Sequence, residues 1–220
     1  GWVINYIGKY HAQMAAMAKK LNAVIVSVNY QKAPEHKFPI PFNDCYEGLQ
    51  WTVSQADRFG IDLGRLGAGG NLASAVALAA RDRGEIELAF QWLVYPCNGP
   101  EYVDSPEVPN ADGYGLTQKG MKWLWEMYLD RLEDRTNPYA VPHAATSFEN
   151  LPPTVMVTAE YDVLRQDGIA YYKKLKAAGN NVVYKDCPGM IHGFFNYGKY
   201  ISDGITIRDW FAAEIRKIIG

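Results

Sequence analysis

Two residues of this chain have the types and placement for proton-transfer chemistry. Asp162 lies in Thr158-Ala159-Glu160-Tyr161-Asp162-Val163-Leu164-Arg165, and His192 lies in Pro188-Gly189-Met190-Ile191-His192-Gly193-Phe194. Each follows a run that reads as a β-strand. An aspartate beside a histidine accepts the imidazole Nδ1 proton and fixes the tautomer. It also stabilises the imidazolium that forms when the ring takes a proton from a nucleophile. Gly189 and Gly193 allow the histidine loop to approach closely. Taken singly, each residue has a plainer reading. An aspartate ahead of a helix is commonly its N-cap, and a lone histidine is commonly structural or exposed. The joint placement at strand ends, with Asp before His along the chain, favours the catalytic reading.

The elements that must position this pair follow from hydrophobic periodicity. Lys9 to Leu21 has helical spacing at Met14, Met17, Ala18 and Leu21. The β-branched run Ala23 to Tyr30 predicts a buried parallel strand. Pro34, Pro39 and Pro41 exclude regular structure over 33–41. Helices are predicted over 42–58 and 69–82, and a strand over Gln91 to Tyr95, stopped by Pro96. Residues 98–150 break the alternation with prolines and polar turns around one aromatic helix, Thr117 to Leu129, and read as an inserted lid. Alternation then resumes: strand 153–159, helix 165–178 ended by Gly179 in the C′ position, strand 181–185 and a closing amphipathic helix 206–219. Strands alternating with helices predict an α/β fold with a doubly wound, mostly parallel sheet, whose sites form at the carboxyl ends of the strands.

Composition sets bounds on function. The 220 residues suit one domain with a small insertion, and 48% hydrophobic content fills a sizeable core. A formal charge of −2, from 22 basic and 24 acidic residues, gives no reason to expect nucleic acid or an anionic membrane as partner. Cys45, Cys97 and Cys187 are widely spaced and odd in number, against a disulfide framework or zinc site, and point to a reducing compartment. No run approaches a membrane span. The expected location is cytoplasmic, although the chain opens at Gly1 without a methionine and reads as N-terminally incomplete. The 15 tyrosines and 6 tryptophans serve either packing or an apolar substrate pocket.

The motifs resemble those of the hormone-sensitive-lipase-like carboxylesterases of the α/β-hydrolase fold. Tyr30-Gln31-Lys32-Ala33-Pro34-Glu35 resembles Y-R-L-A-P-E. Ala68-Gly69-Gly70-Asn71-Leu72-Ala73 resembles the end of the elbow G-D-S-A-G-G-N-L-A. The Asp162 segment is similar to the acid motif with Val163 in place of Pro, and the His192 segment to the histidine motif. Asn110-Ala111-Asp112-Gly113-Tyr114 also looks familial. The match runs the length of the chain, in order. It implies hydrolysis of small or short-chain carboxylic esters through a Ser-His-Asp triad and an acyl-enzyme, with no metal or organic cofactor. His192 would be general base then general acid, oriented by Asp162. The N–H groups of Ala68 and Gly1 would line the oxyanion hole, and Trp123, Trp125 and Phe194 are candidate pocket walls. The partner is a small-molecule ester; the oligomeric state is open, a homodimer included.

One departure from the family bears directly on the chemistry. Where it reads R-L-G-V-A-G-D-S-A-G-G, this chain has Arg65-Leu66-Gly67-Ala68-Gly69-Gly70. The serine and most of a central strand are absent, and of the oxyanion loop H-G-G-G only Gly1 matches. Ser74 and Cys97 are not at the elbow position. About five residues of strand span roughly 16 Å, and losing them would leave neighbouring strands with unpaired buried groups at about 1–3 kcal/mol each. The expectation is that the functional molecule carries residues between Gly67 and Ala68 that this sequence lacks. Two other readings stay open: a catalytically silent small-molecule-binding protein on the same fold, or a non-functional fragment.

Overall fold

The computed structural model describes residues 1–198 and 200–220. Four strands form a parallel sheet in the order β1 (Gly67–Gly69), β2 (Phe90–Val94), β3 (Thr154–Tyr161) and β4 (Val182–Ile191). The helices are α1 (His11–Leu21), α2 (Ile40–Ser54), α3 (Ala56–Phe59), α4 (Ala73–Arg83), α5 (Glu101–Asp104), α6 (Gln118–Tyr128), α7 (Arg165–Ala177) and α8 (Ser202–Ile219).

Alternation along β3 builds two cores, one on each sheet face. Val155, Val157 and Ala159 pack with Met17 of α1 and with Ile207, Phe211 and Ile215 of α8. Met156 joins the opposite core with α2, α4, α6 and α7. Covering both faces is what permits a run as apolar as Val155-Met156-Val157. The alanines of α4 let that helix lie close against the sheet, and Ala73 to Ala80 are all buried. Gly168 of α7 allows a similar approach: a Cβ there would meet the Thr158 side chain.

Residues 98–150 contain α5, α6 and two short 3-10 turns, Leu132–Thr136 and Pro142–Ala144. Thr117 caps α6 by accepting the Gly120 N–H at 3.0 Å. Met121, Leu124, Trp125 and Tyr128 then fall on one face and pack into the main core.

The helix α2 starts at Ile40, inside the proline run expected to lack regular structure, because Pro41 is tolerated in a helix's first turn, and three further elements differ from the sequence expectation. The run 23–30 is not a strand: it joins no ladder among the described residues, and Val24 and Val26 are 58% and 36% exposed. Apolar, β-branched composition favours an extended chain, but a strand exists only where a neighbour supplies the other half of its hydrogen bonds. At the join a short strand does form, from Gly67 to Gly69, so the following helix starts at Ala73 rather than 69. Gly70, at φ +106, makes the turn between them, a conformation that needs glycine. Finally, β4 continues past Lys185 to Ile191. It does so through a bulge, where Pro188 needs no ladder partner for the N–H it lacks.

Candidate active site

The carboxyl ends of β2, β3 and β4 bring three side chains together. Tyr95 follows β2, Asp162 follows β3 and His192 follows β4. The ladder places Tyr161 opposite Ile191, so the next residue of each strand leaves the sheet beside the other. His192 Nδ1 lies 2.8 Å from Asp162 Oδ2. A carboxylate only accepts, so the shared proton sits on Nδ1 and the lone pair of neutral His192 is on Nε2. Nε2 makes no hydrogen bond to a described residue. The Asp162 side chain is fully buried, whereas that of His192 is 28% exposed, so the ring can meet a molecule from outside.

Asp162 does two jobs with two oxygens. Oδ1 accepts the Leu164 N–H at 2.9 Å at the start of α7, while Oδ2 takes His192. This turn bond to the backbone two residues on holds the carboxylate in one rotamer, aimed at the imidazole.

The sequence reading missed Tyr95. Its ring lies 4.4 Å from that of His192, tilted by 52°. The backbone there has φ +38, a left-handed conformation costing roughly 1–3 kcal/mol in a non-glycine residue. Burial, and then the nearby Asp162 charge, push the Tyr95 hydroxyl well above its ordinary range, so it stays protonated. Its position at a strand end immediately before Pro96 was the available signal. Phe194, fully buried beneath, packs edge-on to Tyr95 at 5.8 Å.

The other expected site residues fall as follows. Ala68 is inside β1, opposite Gln91, rather than at the strand-to-helix turn. That turn is Gly70, so no side chain stands where the elbow serine would be. Gly1 sits against Leu124 of α6. Trp125 is 1% exposed and packs against Trp2 and Tyr128, whereas Trp123, two residues earlier, is 46% exposed. Packing thus takes up Trp125 and Phe194, and the outer face of α6 carries Trp123. The familial motifs also touch one another: the Tyr30 hydroxyl donates to Asn71 Oδ1 at 3.3 Å, and burial pushes the Tyr30 hydroxyl up to about 12.

Among the described residues, neither Ser74 nor Cys97 offers an accessible alternative nucleophile. Ser74 is 1% exposed within α4. Cys97 is buried, and burial pushes its thiol well up, which suppresses the reactive thiolate. A second Asp–His pair exists, His143 Nε2 to Asp167 Oδ1 at 3.0 Å, but its side chains are 1% and 0% exposed. Its other carboxylate oxygen accepts the N–H groups of Asn98 and Gly99 at 2.8 and 3.1 Å. This pair ties the loop after β2 to α7 and cannot meet a substrate. Among the described residues, no cluster of three or more His, Cys, Asp or Glu side chains could hold a metal, and no helix is long and apolar enough to cross a membrane.

Comparison with known proteins places the chain in a family. Residues 1–196 match the family model described as alpha/beta hydrolase fold. Esterase LipI of Mycobacterium tuberculosis is 32% identical over 204 residues, covering 90% of this chain and 63% of that protein. Carboxylesterase NlhH of the same organism is 33% identical over 205 residues, covering 90% and 64%. The chain thus spans about three fifths of the length of the curated relatives it matches. Among solved structures, an esterase of Pyrobaculum calidifontis superposes with a TM-score of 0.91 at 34% identity, covering 99% of this chain and 73% of that one.

Proposed function

This chain belongs to the hormone-sensitive-lipase-like carboxylesterase family of the α/β-hydrolase fold, and on that premise we propose that Asp162 and His192 are the acid–base half of a serine carboxylic-ester hydrolase. The observation that carries the reading is the 2.8 Å contact between a fully buried carboxylate and a partly exposed imidazole.

The serine belongs between Gly67 and Ala68. His192 Nε2 takes its proton as it attacks the ester carbonyl, and Asp162 stabilises the imidazolium. The imidazolium then protonates the departing alcohol. In the second half-reaction His192 activates water, which hydrolyses the acyl-enzyme and returns the serine. The backbone N–H of Ala68, moved back to the turn by the residues ahead of it, and that of Gly1 hold the developing oxyanion. The single domain carries residues 98–150 as its lid. Substrates are small carboxylic esters, in keeping with the names carboxylesterase and ethyl acetate hydrolase that related proteins carry.

The test inserts Val-Ala-Gly-Asp-Ser between Gly67 and Ala68 and measures hydrolysis of p-nitrophenyl acetate. The inserted protein should turn over, and His192→Ala in the same background should abolish it. A folded insertion protein no faster than its His192→Ala variant would overturn the proposal.

A further inference from the structure

We infer that Glu160 is a positioning residue for the Asp162–His192 pair, pinning the bulge of β4 so that His192 leaves the sheet beside Asp162. This rests on the catalytic reading above.

The need for a pin comes from the register. Ala159 lies opposite Cys187, and Tyr161 lies opposite Ile191. Between these pairings β3 advances two residues while β4 advances four. Glu160 therefore faces the excess Pro188-Gly189-Met190 segment alone. Without the bulge, regular pairing would set Gly189 opposite Tyr161. His192 would then lie two residues further along, about 6.6 Å at the usual strand rise. A 2.8 Å hydrogen bond does not survive that displacement. The bulge is thus what brings Nδ1 to Oδ2, in keeping with the use of bulges to re-aim side chains near active sites.

Glu160 holds the bulge directly. Gly189, at φ +73, turns its N–H out of the ladder, and Glu160 Oε2 accepts it at 2.7 Å. A carboxylate acceptor makes this a charge-assisted bond. The Glu160 main chain is itself anchored, since its carbonyl accepts the Asn110 Nδ2 at 2.9 Å. The nearby Arg165 guanidinium is committed to Asp186, with Nη2 to Oδ2 at 2.6 Å. One residue thus connects the Asn110 segment, the strand carrying Asp162 and the strand carrying His192. Glu160 is only partly buried and Gly189 is exposed, so the bond governs local geometry more than global stability.

The test uses nitrogen-15-labelled chain and long-range proton–nitrogen spectra, which report the tautomer of His192 without any catalytic turnover. Wild type and Glu160→Gln, which keeps an acceptor oxygen, should both show the Nδ1–H tautomer. Glu160→Ala and the shorter Glu160→Asp should lose that preference, with Gly189 amide exchange about tenfold faster and an unchanged unfolding midpoint. Retention of the wild-type tautomer and exchange rate in both variants would overturn the inference. Wild type lacking the Nδ1–H tautomer would overturn it together with the acid–base reading. Absence of ester hydrolysis alone would strike only the proposed function.

Discussion

Tyr161 and Ile191 face each other in the parallel ladder of β3 and β4, and the residue after each is one half of the Asp162–His192 pair. Because Asp162 uses separate oxygens for His192 and for the Leu164 N–H, its two roles come apart on substitution. Asp162→Asn keeps an oxygen for the Leu164 N–H but offers an amide donor to Nδ1. In the serine-bearing protein, hydrolysis of p-nitrophenyl acetate should fall by about three to four orders of magnitude. Stability should change little. Asp162→Ala loses the turn bond as well and should unfold with about 1 kcal/mol less stability. Chemical denaturation beside the assay checks both.

The gap at Gly67-Ala68 makes a prediction about the molecule itself. Trypsin cuts after Arg65 and Arg81, and no other basic residue lies between them. From the natural source, the peptide starting at Leu66 and ending at Arg81 should be heavier than these sixteen residues alone by about five residues, the length of strand at stake. Fragmentation should place a serine ahead of Ala68. A peptide of unaltered mass would refute the prediction.

Trp123 and Trp125 should respond oppositely to truncation, though they are two residues apart on α6. Trp125 is enclosed by Trp2 and Tyr128, so Trp125→Ala should cost about 3–5 kcal/mol. Trp123 projects from the outer face, and Trp123→Ala should stay within about 0.5 kcal/mol. Urea unfolding of the two variants is the measurement.

The sealed pair of His143 and Asp167 should matter to folding. Burial pushes the Asp167 carboxyl up, opposed by His143 and by the Asn98 and Gly99 N–H groups. Asp167→Ala strands all three buried partners and should cost about 3–5 kcal/mol. The same denaturation experiment checks it, and an Asp167→Ala protein as stable as wild type would contradict the structural role.

Acid sensitivity should trace in part to Asp186. Burial tends to raise its carboxyl, but the Arg165 and Thr158 hydrogen bonds outweigh it, so the folded protein holds the group below its ordinary value of 3.8. A lowered folded value means the unfolded chain takes up the proton first. The stability this contributes is present above about pH 4 and is lost as pH falls through the folded value. Asp186→Asn removes that dependence. Unfolding free energy measured from about pH 6 down to about pH 2.5 should therefore fall less steeply in the variant than in wild type.

Much of this architecture was legible in local sequence. The helices around Met14 and Met17, around Trp125 and after Arg165 declare themselves by spacing, because a helix closes its hydrogen bonds within itself. The strand run 23–30 did not follow its composition, because a strand's bonds are closed by a neighbour elsewhere in the chain. Trp123 and Trp125 could not be told apart as types, and only the direction of each along α6 separates packing from exposure. Tyr95 and Glu160 escaped notice because their partners, His192 and Gly189, are distant in sequence.

The sequence by itself determined that an aspartate and a histidine follow successive strands, since local propensity and turn residues mark where strands and loops alternate. It also determined that no serine stands at the turn after Gly67. Only the tertiary structure decided that the two side chains meet at 2.8 Å. That distance depends on a register shift of two residues between β3 and β4, a relation between segments that neither segment encodes alone.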